Sequence, residues 1–460
     1  MTIQLFDTLQ GKKVAFKPLR EGEVTMYLCG PTVYNYAHIG NARPAVVFDL
    51  LARLLRRSYK LKFVRNFTDV DDKINATSIE TGKPIEEITA KYITAYNQDM
   101  SALGVCSPDI EPRATENIPE MIAMIKLLIK KGFAYESKGH VLFDVSSNEN
   151  YGILSKRNLK EMIAGARVEV APYKKAAHDF VLWKPSTPDL PGWNSPWGRG
   201  RPGWHIECSA MAEKHLGKTI DIHAGGLDLV FPHHENEMAQ SCCANDGKPF
   251  ARYWLHNGFL SMNQTKMSKS LGNVLFVHDM LKTIPGEVIR LALLSAHYKQ
   301  PLDWSDDSIE SARRKLDRLY GALQGVNIPE NFILESDVPE EIILALEDDL
   351  NSPLAISVLF NLARDLNKAT DQDKKLKIAA LLILGGQFMG LLNSDPDEWF
   401  TEVSEGSVSA EEIEKLIRKR QAAKEAKDFK TADKIRNQLL EVGIKIQDGR
   451  DGTSWRRNKL

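Results

Sequence analysis

The first 70 residues carry a strand–helix–strand pattern, which constrains the fold more than any other feature of the chain. Residues 24–29 form a short apolar run that ends at Gly30 and Pro31, residues 42–57 have helical apolar spacing, and residues 61–67 are apolar again. This order predicts a parallel sheet with a crossover helix, the unit of nucleotide-binding α/β folds. Because ligands bind outside the carboxyl ends of such strands, the residues that follow each strand are candidate site residues.

The chain has 460 residues, which predicts several domains because single hydrophobic cores stop growing at about 250–300 residues. We predict a Rossmann-like α/β catalytic domain with a parallel sheet and an insertion, followed by a helical bundle and a small mixed α/β C-terminal domain. The predicted boundaries are 1–118 and 203–250 for the two halves of the nucleotide-binding fold, 119–202 for the insertion, 251–305 for a connecting domain, 306–400 for the bundle and 411–460 for the C-terminal domain.

Local patterns predict the main elements of these domains. Residues 85–103 and 117–131 have helical periodicity, and Gly132 is a suitable C-terminal cap for the second helix. Residues 133–136 and 140–145 flank a Ser-Lys-Gly turn and predict a β-hairpin. From residue 303 to residue 393 the apolar spacing is helical, and the small polar residues 401–410 predict a linker.

Overall charge and cysteine usage limit the classes of function. The net charge of −1 gives no global attraction to nucleic acid or a membrane surface. No apolar run approaches the roughly 20 residues that span a bilayer. The five cysteines are few and scattered, which argues against a disulfide framework. A reducing, cytoplasmic location without a membrane partner is therefore expected.

The C-terminal 50 residues differ in charge from the rest of the chain. They contain 14 Lys and Arg against 9 Asp and Glu. Two helices that divide at Asp428, with Gly443 ending the second, and a hairpin formed by residues 444–447 and 453–457 are predicted. A basic, separately folded module can bind nucleic acid, but charge alone equally allows a solvated helix pair.

Two segments are candidates for phosphate binding. The sequence HIGN opens the helix that follows the first strand, where Gly40 allows close backbone approach and His38 and Asn41 add donors beside the anion-favouring helix N-terminus. Downstream, KMSKSLG places Lys266 and Lys269 three residues apart in a Ser- and Gly-rich loop. Such a loop can neutralise charge that develops on a leaving pyrophosphate.

HIGN and KMSKS together resemble the signature sequences of class I aminoacyl-tRNA synthetases. The family form of the first is HIGH, and Asn41 at its last position keeps an amide donor but has no titratable ring. The resemblance implies that His38, Asn41, Lys266 and Lys269 stabilise the transition state of adenylate formation. It also implies that Gly40 and Lys269 bind ATP, with Mg²⁺ on the phosphates.

The segment FPHHENE raises the question of a metal. His233 and Glu237 are four residues apart, which places them on one face of a helix. Cys29, at the end of the first strand, and Cys208, in GRPGWHIECSAM, can complete a tetrahedral zinc site with them. The chain has no CxxC pair, so the residues alone favour a solvent-facing His/Glu pair and core cysteines over a zinc site.

Four longer segments, MYLCGPTVY, RPGWHIECSAM, DIHAGG and FPHHENE, together resemble cysteine–tRNA ligases, and the likeness extends from Phe6 to Arg457. In that family the positions matching Cys29, Cys208, His233 and Glu237 hold one zinc ion. The resemblance implies ATP-dependent ligation of L-cysteine to tRNA(Cys) through cysteinyl-adenylate, with zinc recognising the thiolate. Zinc prefers sulfur to a hydroxyl oxygen, so no separate editing domain is expected. A monomer is the family expectation.

The same resemblance implies further contacts. It assigns Gly225, Gly226 and Asp228 to ATP binding, Thr68 and Trp204 to the substrate pocket, and residues 411–460 to anticodon binding. The tRNA contacts expected in that tail are Phe429, Arg436, Asp448 and Trp455.

Several of these side chains have a structural alternative. Trp204 equally fits a core indole, and Phe429 and Trp455 equally fit the small core of the tail. Cys106, Cys242 and Cys243 fall outside the zinc pattern and are predicted to be small core residues.

Two other functions stay open at this point. A cysteine–amino-sugar ligase of the mycothiol type would share the zinc and adenylate chemistry, but such relatives lack the anticodon-type tail. A non-catalytic RNA-binding paralogue would carry a damaged signature, and Asn41 is the only departure from the signature in this chain.

Overall fold

The computed structural model describes residues 2–158, 171–262, 265–266, 274–328, 337–401, 410–441, 444–449 and 452–457. The chain forms two compact units. The first comprises Met1–His278, Ala296–Asp303 and Ile343–Pro353, and the second comprises Asp279–Ser295, Trp304–Ile342 and Leu354–Leu460. Lys269, Gly443 and most of the predicted linker lie outside the described residues, and Lys266 and Asp448 are described only in their backbone.

The strands of the described chain are short and belong to five sheets. In chain order they are β1 Gln4–Asp7, β2 Lys12–Ala15, β3 Glu23–Leu28, β4 Lys60–Arg65, β5 Ala134–Ser137, β6 His140–Phe143, β7 Phe180–Pro185, β8 Gly200–Pro202, β9 Ile220–Gly226, β10 Ala251–Asn257, β11 Leu260–Met262, β12 Thr265–Lys266, β13 Leu302–Trp304, β14 Ile444–Gly449 and β15 Gly452–Arg457.

The helices are longest in the first 130 residues and beyond residue 300. In chain order the α-helices are α1 Ile39–Arg56, α2 Asp72–Thr81, α3 Ile85–Ala102, α4 Ile118–Lys130, α5 Trp204–Leu216, α6 Glu235–Ala244, α7 Val277–Met280, α8 Gly286–Leu294, α9 Asp306–Leu323, α10 Glu340–Glu347, α11 Ser352–Lys368, α12 Gln372–Phe388, α13 Pro396–Thr401, α14 Ala410–Glu425 and α15 Phe429–Glu441. Among the described residues, no helix is both long and apolar enough to cross a membrane.

A parallel four-stranded sheet lies at the centre of the first unit. Its strand order is β10-β9-β3-β4, and the predicted β3–α1–β4 crossover is confirmed. Along the chain, β9 begins about 150 residues after β4 ends. In the sheet it nevertheless pairs directly with β3. The carboxyl ends of β3 and β9 therefore meet at one edge, where the site residues lie.

A second, antiparallel sheet is formed by β5-β6-β7-β8. The predicted hairpin is confirmed, since β5 pairs with β6 across a turn in which Lys138 and Gly139 both have positive φ. One hydrophobic core joins this sheet to α4, α5 and α6; its large members include Phe143, Trp183 and Trp254.

The second unit is mainly helical, as the apolar spacing after residue 303 predicts. One detail differs: residues 302–304 form strand β13, and the helix begins only after Ser305, whose hydroxyl caps α9. Helices α14 and α15 pack together with β14, and their core consists of Ile413, Ile417, Ile435, Leu439 and Ile444. The predicted cap at Asp428 is confirmed, because its carboxylate accepts the Thr431 amide at 3.1 Å. The predicted hairpin β14–β15 is confirmed too.

Candidate metal centre and active site

The carboxyl edge of the parallel sheet brings four possible metal ligands together. Cys29 Sγ lies 3.7 Å from Cys208 Sγ and 3.4 Å from Glu237 Oε1. His233 Nε2 lies 3.6 Å from Cys208 Sγ and 3.0 Å from Glu237 Oε1. The four side chains are buried, and their ligating atoms all lie within 4.8 Å of one another. Two thiols, an imidazole and a carboxylate fit the donor chemistry of a tetrahedral zinc site.

Local backbone geometry explains why Cys29 reaches this cluster. Its amide donates to Ala224 O at 3.2 Å, which continues the pairing of β3 with β9 by one residue. At Gly30 a Cβ would lie 1.6 Å from Asn66 O, so only glycine fits there. The Gly30 amide donates to the side-chain oxygen of Asn66 at 2.9 Å, and this fixes the chain as it leaves the sheet.

The other ligands come from helices. Cys208 lies in the second turn of α5. His233 lies in the π-helical turn Val230–His234, and Glu237 lies in the first turn of α6. A carboxylate in a first turn is stabilised by the helix N-terminus. The four-residue spacing brings His233 and Glu237 into contact across this junction.

Neighbouring histidines hold the remaining polar atoms of the ligands. His205 Nδ1 is 2.9 Å from His233 Nδ1, and His223 Nε2 is 2.8 Å from Glu237 Oε2. A second set with similar spacing is Cys29, His223, His234 and Glu237. We favour the first set, because it supplies two thiols and because His223 then serves as the outer partner of the Glu237 carboxylate.

The electrostatics of the cluster favour a bound cation. Burial raises the pKa of Cys29, whereas the hydrogen bond from Cys29 lowers the pKa of Cys208 to about 6. Burial works against a charged imidazole, but Glu237 and Cys208 nevertheless raise the pKa of His233 to about 10. Burial lowers the pKa of His205 to about 3. The cluster therefore holds the Cys208 thiolate and the Glu237 carboxylate beside a protonated His233, and a bound metal ion would take the place of the proton on that imidazole.

The predicted phosphate-binding segment HIGN lies at the start of α1. His38 is the N-cap residue, and its amide donates to Asn41 Oδ1 at 3.2 Å, which makes Asn41 part of a capping box. The Asn41 side chain therefore fixes the first turn of the helix. This is a local reason for an amide at this position.

The described residues that follow KMSKS lie against the same turn. The Ile39 amide donates to Leu275 O at 2.9 Å, and the Val277 amide donates to Ala37 O at 2.9 Å. On the other side of the segment, β11 and β12 form a hairpin in which Lys266 pairs with Ser261. The backbone thus brings Leu275 and Val277, which follow KMSKS in sequence, against the start of α1.

The predicted pocket residues Thr68 and Trp204 lie beside the cluster. Thr68 is buried and donates to Glu207 Oε2 at 2.9 Å. Trp204 is 40% exposed and stacks on the His233 ring at a centroid distance of 4.1 Å. Trp204 is therefore not a core indole, and it covers the outer side of the His233 ring.

The glycines predicted to bind ATP end strand β9. At Gly225 a Cβ would lie 2.7 Å from the His234 ring, and at Gly226 it would lie 2.3 Å from Asp228 Oδ1. Asp228 is exposed just beyond the strand. The buried His234 ring therefore excludes a side chain at Gly225, whereas the exposed Asp228 side chain can move away from Gly226.

The predicted tRNA contacts separate into two groups. Phe429 is 63% exposed, and Arg436 is exposed on the same helix. Trp455 instead packs against the small core and donates to Glu414 Oε1 at 2.6 Å. Trp455 therefore belongs to the small core of the tail, whereas Phe429 lies on its surface.

The prediction that Cys106 is a core residue is wrong. It is exposed in the loop after α3, where its amide donates to Asp49 Oδ1 at 2.9 Å and Arg53 Nη2 lies 3.1 Å from its sulfur. Backbone and side-chain polar contacts, not burial, hold the residue there. Cys243 is buried as predicted, and Cys242 is partly buried.

Sequence reasoning also missed the histidines around the cluster and the buried Glu207. A usable signal existed for one of them. His223 lies with Asp221 in β9, an otherwise uncharged strand every residue of which is buried. A buried histidine requires a partner, and its partner is the Glu237 ligand.

Three family models cover most of the chain. The model for tRNA synthetases class I (C) catalytic domain matches residues 15–314, that for the DALR domain matches residues 341–393, and that for the cysteinyl-tRNA ligase anticodon binding domain matches residues 409–456.

Curated relatives match over the whole chain. The cysteine–tRNA ligase of Parvibaculum lavamentivorans is 58% identical over 458 residues, covering 99% of this chain and 98% of the relative. The cysteine–tRNA ligase of Maricaulis maris is 57% identical over 459 residues and covers 99% of both.

Among solved structures, a Mycobacterium tuberculosis methionyl-tRNA synthetase in complex with methionyl-adenylate has a TM-score of 0.56 at 14% identity, covering 82% of this chain and 93% of that one. At that identity the likeness concerns the fold alone, and it confirms the predicted catalytic fold.

Proposed function

This chain belongs to the cysteine–tRNA ligase family, and we propose that it uses ATP and one zinc ion to join L-cysteine to tRNA(Cys). The observation that carries the zinc-dependent part is the buried cluster of Cys29, Cys208, His233 and Glu237 at the carboxyl edge of the parallel sheet. Its donor set matches zinc, and its position matches the place where ligands bind in such sheets.

The cluster would select cysteine over serine. Cys29, Cys208, His233 and Glu237 would hold the zinc ion. A zinc ion held there would supply a soft Lewis acid that favours a thiolate sulfur over a hydroxyl oxygen. Trp204, stacked on His233, bounds the pocket on its exposed side, and the buried Thr68 bounds it from within. An apolar pocket alone would separate such similar substrates by only about 10–200-fold.

The HIGN and KMSKS segments would carry the activation step. A carboxylate oxygen of cysteine attacks the α-phosphorus of ATP, the bond to the β-phosphate bridging oxygen breaks, and pyrophosphate leaves. His38, Asn41, Lys266 and Lys269 stabilise the charge that develops, with Mg²⁺ on the phosphates. Gly40, Gly225 and Gly226 let the backbone approach the nucleotide, and Asp228 binds its ribose or the substrate amine. Orientation and charge stabilisation supply most of the rate.

The second step transfers cysteine to tRNA. The terminal ribose hydroxyl attacks the carbonyl carbon of the adenylate, and AMP leaves. The tail places Phe429 and Arg436 on an exposed helix face, where they can stack on or hydrogen-bond unpaired bases. Asp448 contacts the same bases from the hairpin, which Trp455 supports from the small core of the tail. We also propose that the enzyme acts as a monomer in the cytoplasm, in keeping with its five free cysteines.

The anticodon-domain match over residues 409–456 disfavours the amino-sugar ligase, since such relatives lack this tail. Charging assays with labelled cysteine test the proposal. The purified protein should attach cysteine, but not serine, to tRNA(Cys) and should contain about one zinc per chain, the stoichiometry of a single four-ligand site. Cysteine transfer to an amino sugar, with no charged tRNA, would contradict it.

A further inference from the structure

Helix α1 contains a fully buried arginine two residues after Asn41. Arg43 Nη1 donates to Gly258 O and Phe259 O, both at 2.7 Å, and Arg43 Nη2 donates to Tyr298 O at 3.2 Å and Gln300 O at 2.7 Å. A buried guanidinium usually pairs with a carboxylate. Here all four acceptors are backbone carbonyls, so the side chain joins three chain segments and does not form an ion pair with them.

The acceptors lie at the base of the hairpin that carries Lys266. Gly258 and Phe259 connect β10 to β11, and the Gly258 amide donates to Tyr298 O at 2.8 Å. A Cβ at Gly258 would lie 2.5 Å from Gln300 O, so the two segments are in close contact. The Leu302 amide donates to Phe259 O at 3.0 Å and extends this junction. Arg43 therefore lies where the backbone at residues 258–259 packs closely against residues 298–302.

The same end of α1 also contacts the chain after KMSKS. Ile39 and Ala37 form backbone hydrogen bonds with Leu275 and Val277, at 2.9 Å each. The start of α1 therefore contacts the chain on both sides of the KMSKS segment. The contact with Leu275 and Val277 uses backbone groups, which any sequence supplies. The contact with Gly258 and Phe259 depends on the side chain of Arg43.

We propose that Arg43 is a positioning residue for ATP activation, which fixes the β11–β12 hairpin and Lys266 at its end relative to His38. The inference rests on the proposed function. Stabilising a developing charge requires the donors to be fixed in place before the reaction. The planar fork of arginine matches two pairs of carbonyls at once, whereas a lysine ammonium is a point donor. Burial lowers the pKa of Arg43 to about 10, so it stays charged at neutral pH.

The test compares Arg43→Lys with the wild-type chain by cysteine-dependent ATP–pyrophosphate exchange. Arg43→Lys keeps the charge but not the fork, and misplacement of the hairpin should lower kcat by about 100-fold while KM for cysteine is unchanged. Hydrogen exchange at the Gly258 and Leu302 amides should accelerate in this variant. Zinc content should stay at the wild-type value, since the metal cluster does not involve Arg43.

A matched control is Arg290→Met in the second unit. Arg290 is also fully buried and donates to a backbone carbonyl, that of Met389, at 2.7 Å. This variant should have a lower melting temperature than the wild type. Below that temperature it should exchange pyrophosphate at the wild-type rate, and hydrogen exchange at its Gly258 amide should be as slow as in the wild type.

Two results would overturn the inference: an Arg43→Lys enzyme with wild-type kcat, or an equal loss of kcat in Arg290→Met. If the wild-type chain itself fails to exchange pyrophosphate, the proposed function is wrong. The amide-exchange comparison then still decides whether Arg43 holds the hairpin.

Discussion

The metal cluster and the C-terminal tail are built in opposite ways. At the cluster, Cys29, Cys208, His233 and Glu237 are buried and each contacts another ligand or a supporting histidine. In the tail, α14, α15 and β14 enclose a small aliphatic core, and Phe429 and Arg436 are left on the surface.

This difference separates two kinds of recognition. A site that must tell a thiol from a hydroxyl needs donors held at fixed distances, and burial with outer-shell hydrogen bonds provides this. A surface that contacts unpaired bases needs exposed aromatic and basic side chains on a folded support. Substitutions in the first region should therefore change metal content and amino-acid activation. Those in the second should change only the response to tRNA.

The largest expected effect is the loss of a zinc ligand. Cys208→Ser should release the metal and lower cysteine-dependent exchange by about 10³-fold, since a catalytic metal contributes several kcal/mol. Metal analysis and exchange assays on the same preparation measure both. Cys243→Ser, a buried cysteine of α6 outside the cluster, is the control and should keep its zinc. A fully metallated, active Cys208→Ser enzyme would exclude this ligand set.

The next effect separates the chemistry from the metal. Lys269→Ala should slow pyrophosphate exchange by about 10²–10³-fold, the size expected for one transition-state donor, with zinc still bound. Lys130→Ala, on the exposed end of α4, should leave the rate unchanged. An unaltered exchange rate in Lys269→Ala would remove this lysine from the proposed mechanism.

A support residue should have a smaller effect than a ligand. His223→Asn removes the partner of Glu237 Oε2 and should weaken zinc binding by about 10–100-fold, measured by competition with a chelator. His215→Asn on α5 tests whether loss of any histidine of this region has the same result. Equal zinc affinity in both variants would mean that His223 does not orient the carboxylate.

In the tail, the change should appear only with tRNA present. Phe429→Ala should raise KM for tRNA by about tenfold, because stacking contributes about 1–3 kcal/mol per base, and should leave pyrophosphate exchange intact. Leu440→Ala, an exposed apolar residue on the same helix, is the matched control. A change in exchange without tRNA would contradict the separation of the two regions.

The smallest effect concerns the tail fold itself. Asp428→Ala removes the N-cap of α15 and should cost about 1 kcal/mol in the free energy of unfolding of the tail. Asp433→Ala, exposed within the same helix, should have little effect. Hydrogen exchange at the α15 amides in increasing denaturant reports the difference. If both variants unfold alike, the cap does not stabilise the helix.

The sequence predicted those features that depend on local pattern. The β3–α1–β4 crossover follows from apolar periodicity, and the caps at Gly132 and Asp428 follow from residue type. The strand at 302–304 was missed because three residues are too short for periodicity to register.

Local sequence patterns predicted less of the site than of the fold. Cys29 and Cys208 are 179 residues apart in sequence, and Cys208 and His233 are 25 residues apart. No spacing rule therefore unites them. The residues alone left a zinc site and a solvent-facing His/Glu pair with core cysteines open, and the family resemblance decided between them. The supporting His205 and His223, and Arg43 with its four carbonyls, depend on tertiary contacts that no local pattern encodes.

The most direct test is cysteine-dependent ATP–pyrophosphate exchange on protein assayed for zinc, with serine as competitor. We predict exchange with cysteine, none with serine, and about one zinc per chain, as a single tetrahedral site requires. Exchange by zinc-free protein that still rejects serine would contradict the central claim that Cys29, Cys208, His233 and Glu237 select the amino acid through a metal ion.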